Sequence, residues 1–347
     1  MGQRVGPRLA EDLQREARPD PLAHTPCLRV SVVKDVSAPS VPSPRRSLHI
    51  DALLLLMVLI WGANYSIVKS AFREIDPQAF NAVRMALATT LFLIAMAAVR
   101  VSGRTSFAGG VFYTPAPFTR RDWLTLAWLG LVGHFAYQVL FIGGLSRTTV
   151  ANSSLIIAAS PVIIAVGSAM LRHERIGRLH WAGAALSMAG IYLVVGRGAA
   201  IGGRGLTGDL MMFAAVMCWA AYTIGAEPLM ERHSPVAVTG LSLVFGVLLY
   251  VPTALPRIVA VDWTALSGHT LGALLYAAVL AMCVAYTIWY TAVREIGSAR
   301  TSVYSNLIPI VAMITAVVFL GESLGARQLA GAALVLAGVA LTRVRRA

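Results

Sequence analysis

Aromatic and polar side chains recur at helical spacing inside stretches of this chain that are otherwise apolar. Trp61, Asn64, Tyr65 and Lys69 occupy positions i, i+3, i+4 and i+8 of one such stretch, which places them on one face of a helix. These groups can stack against a small solute and exchange hydrogen bonds with it, but they supply no activated nucleophile. The pattern therefore predicts a solute-binding surface rather than a catalytic centre.

Other apolar stretches carry side chains of the same character. Polar groups within a membrane span usually face the interior of the helix bundle or a wet cavity. The predicted solute pathway therefore also includes Arg84, His134, Gln138, Asn152, Trp219, Tyr222, Tyr286, Trp289 and Asn306. Trp61 and Trp219 lie near the middle of their spans, away from the interfacial belts where Trp concentrates, so they serve either the pathway or helix packing.

Two cations within the predicted spans need partners. Arg84 lies about six residues inside its span, roughly 9 Å along the helix, and requires an anionic or carbonyl partner. It either faces the pathway or forms a structural pair with a loop carboxylate such as Asp76 or Glu74. Lys69 either serves the pathway or extends its ammonium group to the membrane surface. Both cations would tolerate a solute that bears a carboxylate.

The remaining candidates each have two interpretations. His134 is either a proton relay, because imidazole titrates near neutral pH, or a neutral hydrogen-bonded core residue. Asn152 and Asn306 are either binding amides or structural polar groups. Pro161 and Pro309 are predicted helix kinks near the midplane, where each lacks an N–H and frees a carbonyl, and they form part of the site or a hinge.

The composition places the chain among membrane proteins. Apolar residues make up 57% of it and charged residues 13%, against about 25% charged residues in a soluble domain. The net charge of +13 comes from arginines in short loops and tails without an aromatic-spaced basic stripe, so we expect no nucleic-acid partner. Cys27, Cys218 and Cys283 are far apart, so we expect no disulfide framework, metal site or cofactor.

Ten stretches are long enough to cross a bilayer core, which requires about 20 apolar residues per helix. They cover residues 50–71, 78–99, 122–145, 148–171, 177–196, 208–229, 235–255, 270–293, 298–320 and 325–343. The predicted fold class is an all-α polytopic membrane protein with ten transmembrane helices. Residues 1–49 form a basic tail that we expect to be disordered, and a start codon placed too far upstream would produce the same tail.

The chain contains an internal duplication. Residues 151–194 align without a gap on residues 299–342, 148 positions later, and 13 of 44 positions are identical. We assign residues 50–197 to a first repeat and residues 205–347 to a second. Each repeat holds five spans, an odd number, so the second enters the membrane inverted relative to the first, as in transporters whose substrate site lies between two repeats.

The duplicated charges and glycines have structural explanations. Glu174 and its counterpart Glu322 precede helices whose N-terminal amides a carboxylate can cap. Glycines in the last span of each repeat provide small faces for close helix packing. With the N-terminus inside, ten loop arginines face the cytoplasm and six face outward. We therefore expect a cytoplasmic-membrane protein with both termini in the cytoplasm.

These residues together resemble the EamA family of the drug/metabolite transporter superfamily. The resemblance covers residues 50–343, and its motifs are Trp61-Gly62-Ala63-Asn64-Tyr65, Lys69, Asp76-Pro77, Arg84, Ser160-Pro161, Glu174, Gly183 to Gly190, Ile308-Pro309, Glu322 and Gly331 to Gly338. It implies ten helices in two inverted five-helix units that move small organic solutes across a cytoplasmic membrane. The second copy departs from the first at Ile308, which replaces the hydroxyl of Ser160.

The expected function is secondary transport, in the export direction, of amino acids or related neutral or zwitterionic solutes by alternating access. The alternatives are efflux of drugs or cations, which is less favoured because the spans lack a midplane carboxylate, and a channel or scaffold subunit. An enzyme is not expected, because the chain lacks HExxH, GxSxG, paired acids and a phosphate-binding loop. The expected partners are a small-molecule solute and the lipid bilayer. Proton coupling, and the choice between monomer and homodimer, stay open.

Overall fold

The computed structural model describes residues 44–103, 110–113, 116–171, 178–195, 204–296, 301 and 304–343. Within these residues all regular secondary structure is helical. In chain order the helices are α1 (Pro44–Ala71), α2 (Pro77–Val101), α3 (Arg120–Leu145), α4 (Val150–Ile157), α5 (Ser160–Leu171), α6 (Arg178–Val195), α7 (Arg204–Met230), α8 (Pro235–Val259), α9 (Gly268–Ile296), α10 (Ile308–Leu320) and α11 (Ala326–Arg343).

Six of these helices, α1, α2, α3, α7, α8 and α9, are long and apolar enough to cross a membrane, and shorter apolar helices accompany them. Large apolar side chains cover the outside of the bundle. Ile94, Val318 and Phe319, for example, are exposed. Such a surface suits lipid rather than water. The predicted all-helical, multi-pass membrane fold is confirmed at this level.

Most helix ends lie within a few residues of the predicted ones, and several follow ordinary capping rules. Asp76 caps α2, where its Oδ1 accepts hydrogen bonds from the backbone amides of Gln78 at 2.9 Å and Ala79 at 3.0 Å. Helix α1 begins at Pro44, inside the segment that the sequence assigned to the tail. Residues 1–43 lie outside the described part of the chain.

The predicted fourth and ninth spans contain matching interruptions. Helix α4 ends at Ile157, and α5 begins at Ser160, directly before Pro161. Helix α10 begins at Ile308, directly before Pro309. Proline has no backbone N–H to continue a helical ladder but fits the first turn of a new helix. The two starts are 148 residues apart, so the same position is interrupted in each copy of the duplicated sequence.

Helices α3 and α9 each contain a π-helical segment, which no pattern in the sequence indicated. The segments are Gly130–Ala136 and Tyr276–Val284. Shifted by 148 residues, the first falls on residues 278–284 and so coincides with most of the second. π-Helical turns are rare and occur frequently at functional sites, because they redirect side chains and free backbone carbonyls.

The two halves of the sequence pack against each other through several pairs of helices. Helix α1 packs on α10, α5 on α7, α2 on α8, and α6 on α11. In the last pair the two backbones lie close together, so that a Cβ atom at Gly190 would lie 2.8 Å from the carbonyl oxygen of Gly331. Glycines therefore permit the close helix approach that the small-residue faces predicted.

A carboxylate outside the spans links the halves at one end. Glu74, in the loop after α1, accepts hydrogen bonds from the backbone amide of Ser267 at 3.0 Å and the hydroxyl of Thr270 at 2.8 Å. The bond from the Ser267 amide, together with those from the Thr270 and Ser267 hydroxyls, lowers the pKa of Glu74. This loop is thereby fastened to the start of α9.

Candidate functional site

A cavity lies where the two interrupted spans meet the long helices. Its wall is formed by Trp61, Asn64, Tyr65, Arg84, Tyr137, Gln138, Phe141, Ile157, Ser160, Trp219, Ala281, Met282, Tyr286, Trp289, Ser305 and Ile308. The space open to the centres of water molecules measures about 70 Å³. One water needs about 10–15 Å³ by that measure, so the cavity has room for only a few waters or a small solute in this conformation.

Aromatic rings form one side of this cavity. The ring centroid of Trp61 lies 6.0 Å from that of Trp219 and 5.6 Å from those of Tyr286 and Trp289. The indole nitrogen of Trp61 donates a 2.8 Å hydrogen bond to the carbonyl of Ala281, which belongs to the π-helical segment of α9. Trp61 therefore forms part of the wall and also binds a carbonyl of that segment.

Arg84 and its amide partners form the polar part of the wall. Its Nη2 donates to Asn81 Oδ1 at 2.5 Å and to Gln138 Oε1 at 2.8 Å, and its side chain is 3% exposed. Asp76 caps α2 and Glu74 binds residues at the start of α9, so neither forms the structural pair with Arg84 that was the alternative at the sequence level. Both hydrogen-bond partners that this cation has among the described residues are neutral amides.

Three side chains of the wall have buried polar atoms with no hydrogen-bond partner among the described residues. These atoms are Asn64 Oδ1, Arg84 Nε and Trp289 Nε1. A buried polar group without a partner costs about 1–3 kcal/mol, so native proteins rarely leave several at one place without a ligand or water to meet them. The side chains of the cavity wall thus contain one buried acceptor and two buried donors whose hydrogen-bonding capacity is not used by the described residues.

Lys69 lies in a second, separate pocket at the end of α1. Its ammonium group is 3.2 Å from Glu322 Oε1 and 2.5 Å from the carbonyl of Thr148. Glu322 also accepts hydrogen bonds from the backbone amides of Val150 at 3.0 Å and Ala151 at 3.4 Å. Glu322 therefore caps α4 in the first half of the chain. We had expected it to cap the helix that follows it in sequence, and that prediction was wrong.

Asn152 and Asn306, the two predicted binding amides, do not line the cavity. Asn152 donates to Asp209 Oδ2 at 3.3 Å and accepts from Gln328 Nε2 at 3.1 Å, so both ends of its amide are occupied near the start of α4. Asn306 follows the short helical turn before α10 and is not part of the cavity wall described above. Glu174, the sequence counterpart of Glu322, lies outside the described residues.

His134 and Tyr222 pack just behind the cavity wall. His134 is fully buried, and its Nε2 is 3.1 Å from the Tyr222 hydroxyl and 3.2 Å from the Ser242 hydroxyl. The His134 ring lies 6.1 Å from that of Tyr286, which does line the cavity. This geometry suits the hydrogen-bonded core interpretation of His134, and it also connects the residue to the wall through one aromatic ring.

The structure brings a majority of the predicted pathway residues together. Those on the wall are Trp61, Asn64, Tyr65, Arg84, Gln138, Trp219, Tyr286 and Trp289. Those outside the wall are Lys69, His134, Asn152, Tyr222 and Asn306. Sequence reasoning missed Ile157 and Met282, because apolar side chains at such positions carry no polar signal, and it also missed the small hydroxyl side chain of Ser305. The repeat offset could have identified these two positions together, since Ser305 is the counterpart of Ile157 and both lie just before an interruption.

An all-helical, multi-pass membrane protein with an aromatic cavity beside two interrupted spans has the architecture of a solute transporter. The chain belongs to the EamA-like transporter family, which matches residues 49–196 and again residues 206–344. The predicted family membership is thereby confirmed.

Relatives agree with this family, and a solved structure agrees with the fold. The chain is 25% identical to an uncharacterized transporter of Bacillus subtilis, over 85% of this chain and 93% of the relative. It is 26% identical to a "probable amino-acid metabolite efflux pump" of Salmonella typhimurium, over 85% and 96%. It is 30% identical to a "probable terminal-alkyne amino-acid exporter" of Streptantibioticus cattleyicolor, over 65% and 74%. One crystal structure, 19% identical, shares the fold with a TM-score of 0.58, over 86% of this chain and 97% of that one.

Proposed function

We propose that this protein is a secondary transporter that exports amino acids or closely related neutral or zwitterionic metabolites. The observation that carries the proposal is the cavity, which is lined by both halves of the chain and bounded by both helix interruptions. In transporters, discontinuous helices border the substrate site because the freed backbone groups can meet a solute or water there. Two relatives whose names refer to amino-acid compounds support the substrate class.

The proposed mechanism is alternating access by two inverted five-helix halves. Ten spans cross the cytoplasmic membrane in this proposal, with both termini in the cytoplasm. The two interruptions, which are 148 residues apart, and the two π-helical segments, which largely coincide at the same offset, support a repeated unit. The close pairing of helices from different halves provides the interfaces that would exchange as the cavity opens to either side.

The test is solute counterflow in liposomes that contain the purified protein and no ATP. Vesicles loaded with unlabelled amino acids, sugars, nucleosides, polyamines or lipophilic cations would be diluted into a trace of the labelled compound. We expect saturable exchange of amino acids only. Exchange of lipophilic cations alone would favour drug efflux, flux without saturation would favour a channel, and no flux for any class would overturn the proposal.

A further inference from the structure

In the part of the chain that the structure describes, the cavity wall contains a cation but no carboxylate. Arg84 remains protonated at all physiological pH values, and it is 3% exposed. Among the described residues no Asp or Glu lines the cavity, and the hydrogen bonds of the Arg84 side chain go to the amides of Asn81 and Gln138. A buried charge is strongly unfavourable unless an opposite charge or several dipoles compensate it.

The unsatisfied hydrogen-bonding groups on this wall also match the chemistry of a compensating anion. The bonds from Nη2 to Asn81 and Gln138 hold the guanidinium plane in place, while the buried Nε keeps an unused donor. Trp289 and Asn64 lie on the same wall, and the buried donor Trp289 Nε1 and the buried acceptor Asn64 Oδ1 have no partner among the described residues. Two donors, one of them cationic, match a carboxylate, and the acceptor matches an ammonium group.

We propose that recognition in this transporter requires a carboxylate on the solute, which binds the Arg84 guanidinium, while Asn64 accepts from the solute's amino group. This inference rests on the proposed function and narrows it. Uncharged sugars, nucleosides and simple amines lack the anion that neutralises Arg84, so the cavity excludes them. The aromatic rings around Trp61 then surround the remainder of the solute without selecting its charge.

The first experiment removes the carboxylate from the solute and leaves the protein intact. Counterflow of labelled L-alanine, L-leucine and L-phenylalanine would be measured in competition with the same amino acids and with their amides. We expect the amides to compete at least about 100-fold more weakly than the acids, because they leave the buried cation unpaired. Equal competition by acid and amide would overturn the inference while leaving transport itself established.

The second experiment changes the protein. In Arg84→Gln we expect the exchange of amino acids to fall at least about 100-fold and the preference for acid over amide to disappear. In Arg84→Lys we expect part of the exchange activity and part of the preference to remain, because lysine keeps the charge but not the planar guanidinium. Arg100→Gln, which alters an exposed arginine at the far end of the same helix, is the matched control. Gel filtration and thermal unfolding of each purified variant establish that it is folded.

The outcomes separate the two proposals. If no acid or amide exchanges in the wild type, the proposed function fails and this inference fails with it. If Arg84→Gln is folded and still prefers acids over amides as the wild type does, Arg84 serves only to link two helices, and the inference is wrong. Loss of acid exchange together with loss of the preference supports a direct contact.

Discussion

At the scale of single residues, the Trp61 side chain combines two interactions that substitution can separate. Its ring packs against three other aromatic rings, and its N–H binds the Ala281 carbonyl in the π-helical segment. We expect Trp61→Phe to keep most of the ring contact but lose the hydrogen bond, which is worth about 1 kcal/mol. We expect Trp61→Ala to lose both and to lower counterflow at least about 10-fold.

The control for this prediction is another tryptophan. Trp123 is 43% exposed near the start of α3, where it suits an interfacial anchor. Trp123→Ala should leave the counterflow rate within about 2-fold of the wild type at matched protein density, since it does not alter the cavity. Similar losses in Trp61→Ala and Trp123→Ala would show that the effect comes from general destabilisation.

At the scale of helices, the proline that follows each interruption can be substituted to test whether the interruption is needed for transport. In Pro309→Ala the new N–H can bond to the carbonyl of Ser305, four residues earlier, which would extend α10 backward through the cavity wall. We expect normal membrane insertion and counterflow reduced by about 10-fold, because a lengthened helix withdraws backbone groups from the site. Counterflow measured at equal protein content checks this.

A second proline substitution shows whether the effect on transport is specific to the position of Pro309. Pro252 lies inside α8 with its side chain exposed, away from the cavity. Pro252→Ala should therefore leave transport unchanged. If Pro309→Ala and Pro252→Ala behave alike, the interruption before α10 has no role in transport.

Close packing of α6 on α11 gives a prediction about stability. A Cβ at Gly190 would come within 2.8 Å of the Gly331 carbonyl oxygen and of the Val335 backbone nitrogen, and backbone cannot easily move aside. We expect Gly190→Ala to destabilise the protein by about 1–3 kcal/mol. Thermal unfolding in detergent measures this. Gly272→Ala in α9, where the added Cβ meets nothing within 4 Å, should be neutral or slightly stabilising, and a lower melting temperature there would contradict the packing argument.

At the scale of the whole molecule, Glu322 ties the halves together at the end of the bundle where Lys69 lies. It pairs with Lys69 and caps α4 through Val150 and Ala151. Because a transporter must release one end to admit solute, we expect Glu322→Gln to favour opening at this end. A single cysteine replacing Ser160 in a variant without native cysteines should then react several-fold faster with an impermeant maleimide applied from that side.

A charge exchange provides the control for this pair. Lys69→Glu combined with Glu322→Lys restores the ion pair but places a cation at the N-terminus of α4, where it opposes the helix dipole. The double variant should therefore label at a rate between those of the wild type and Glu322→Gln. Labelling that stays at the wild-type rate in all three proteins would show that this contact does not hold the end closed.

Much of the fold was predictable from the sequence, because the bilayer and the helix impose simple periodic rules. Apolar length predicted the long helices, and helical spacing identified Trp61, Asn64 and Tyr65 as one face of α1. The duplication also indicated that the prolines occupy equivalent places. These features depend on residues near each other in sequence, or on the internal repeat that appears when the sequence is aligned with itself.

Other features depended on the tertiary structure, because they are contacts between side chains far apart in the chain. Glu322 caps a helix about 170 residues earlier, and Arg84 binds Gln138 on a neighbouring helix. No local pattern encodes such partners. The sequence determined the helices and the polar faces within them. Only the packing of the two halves decided which polar atoms found partners and which remained unsatisfied around a cavity, because hydrogen-bond satisfaction is a property of the assembled bundle and not of any single helix.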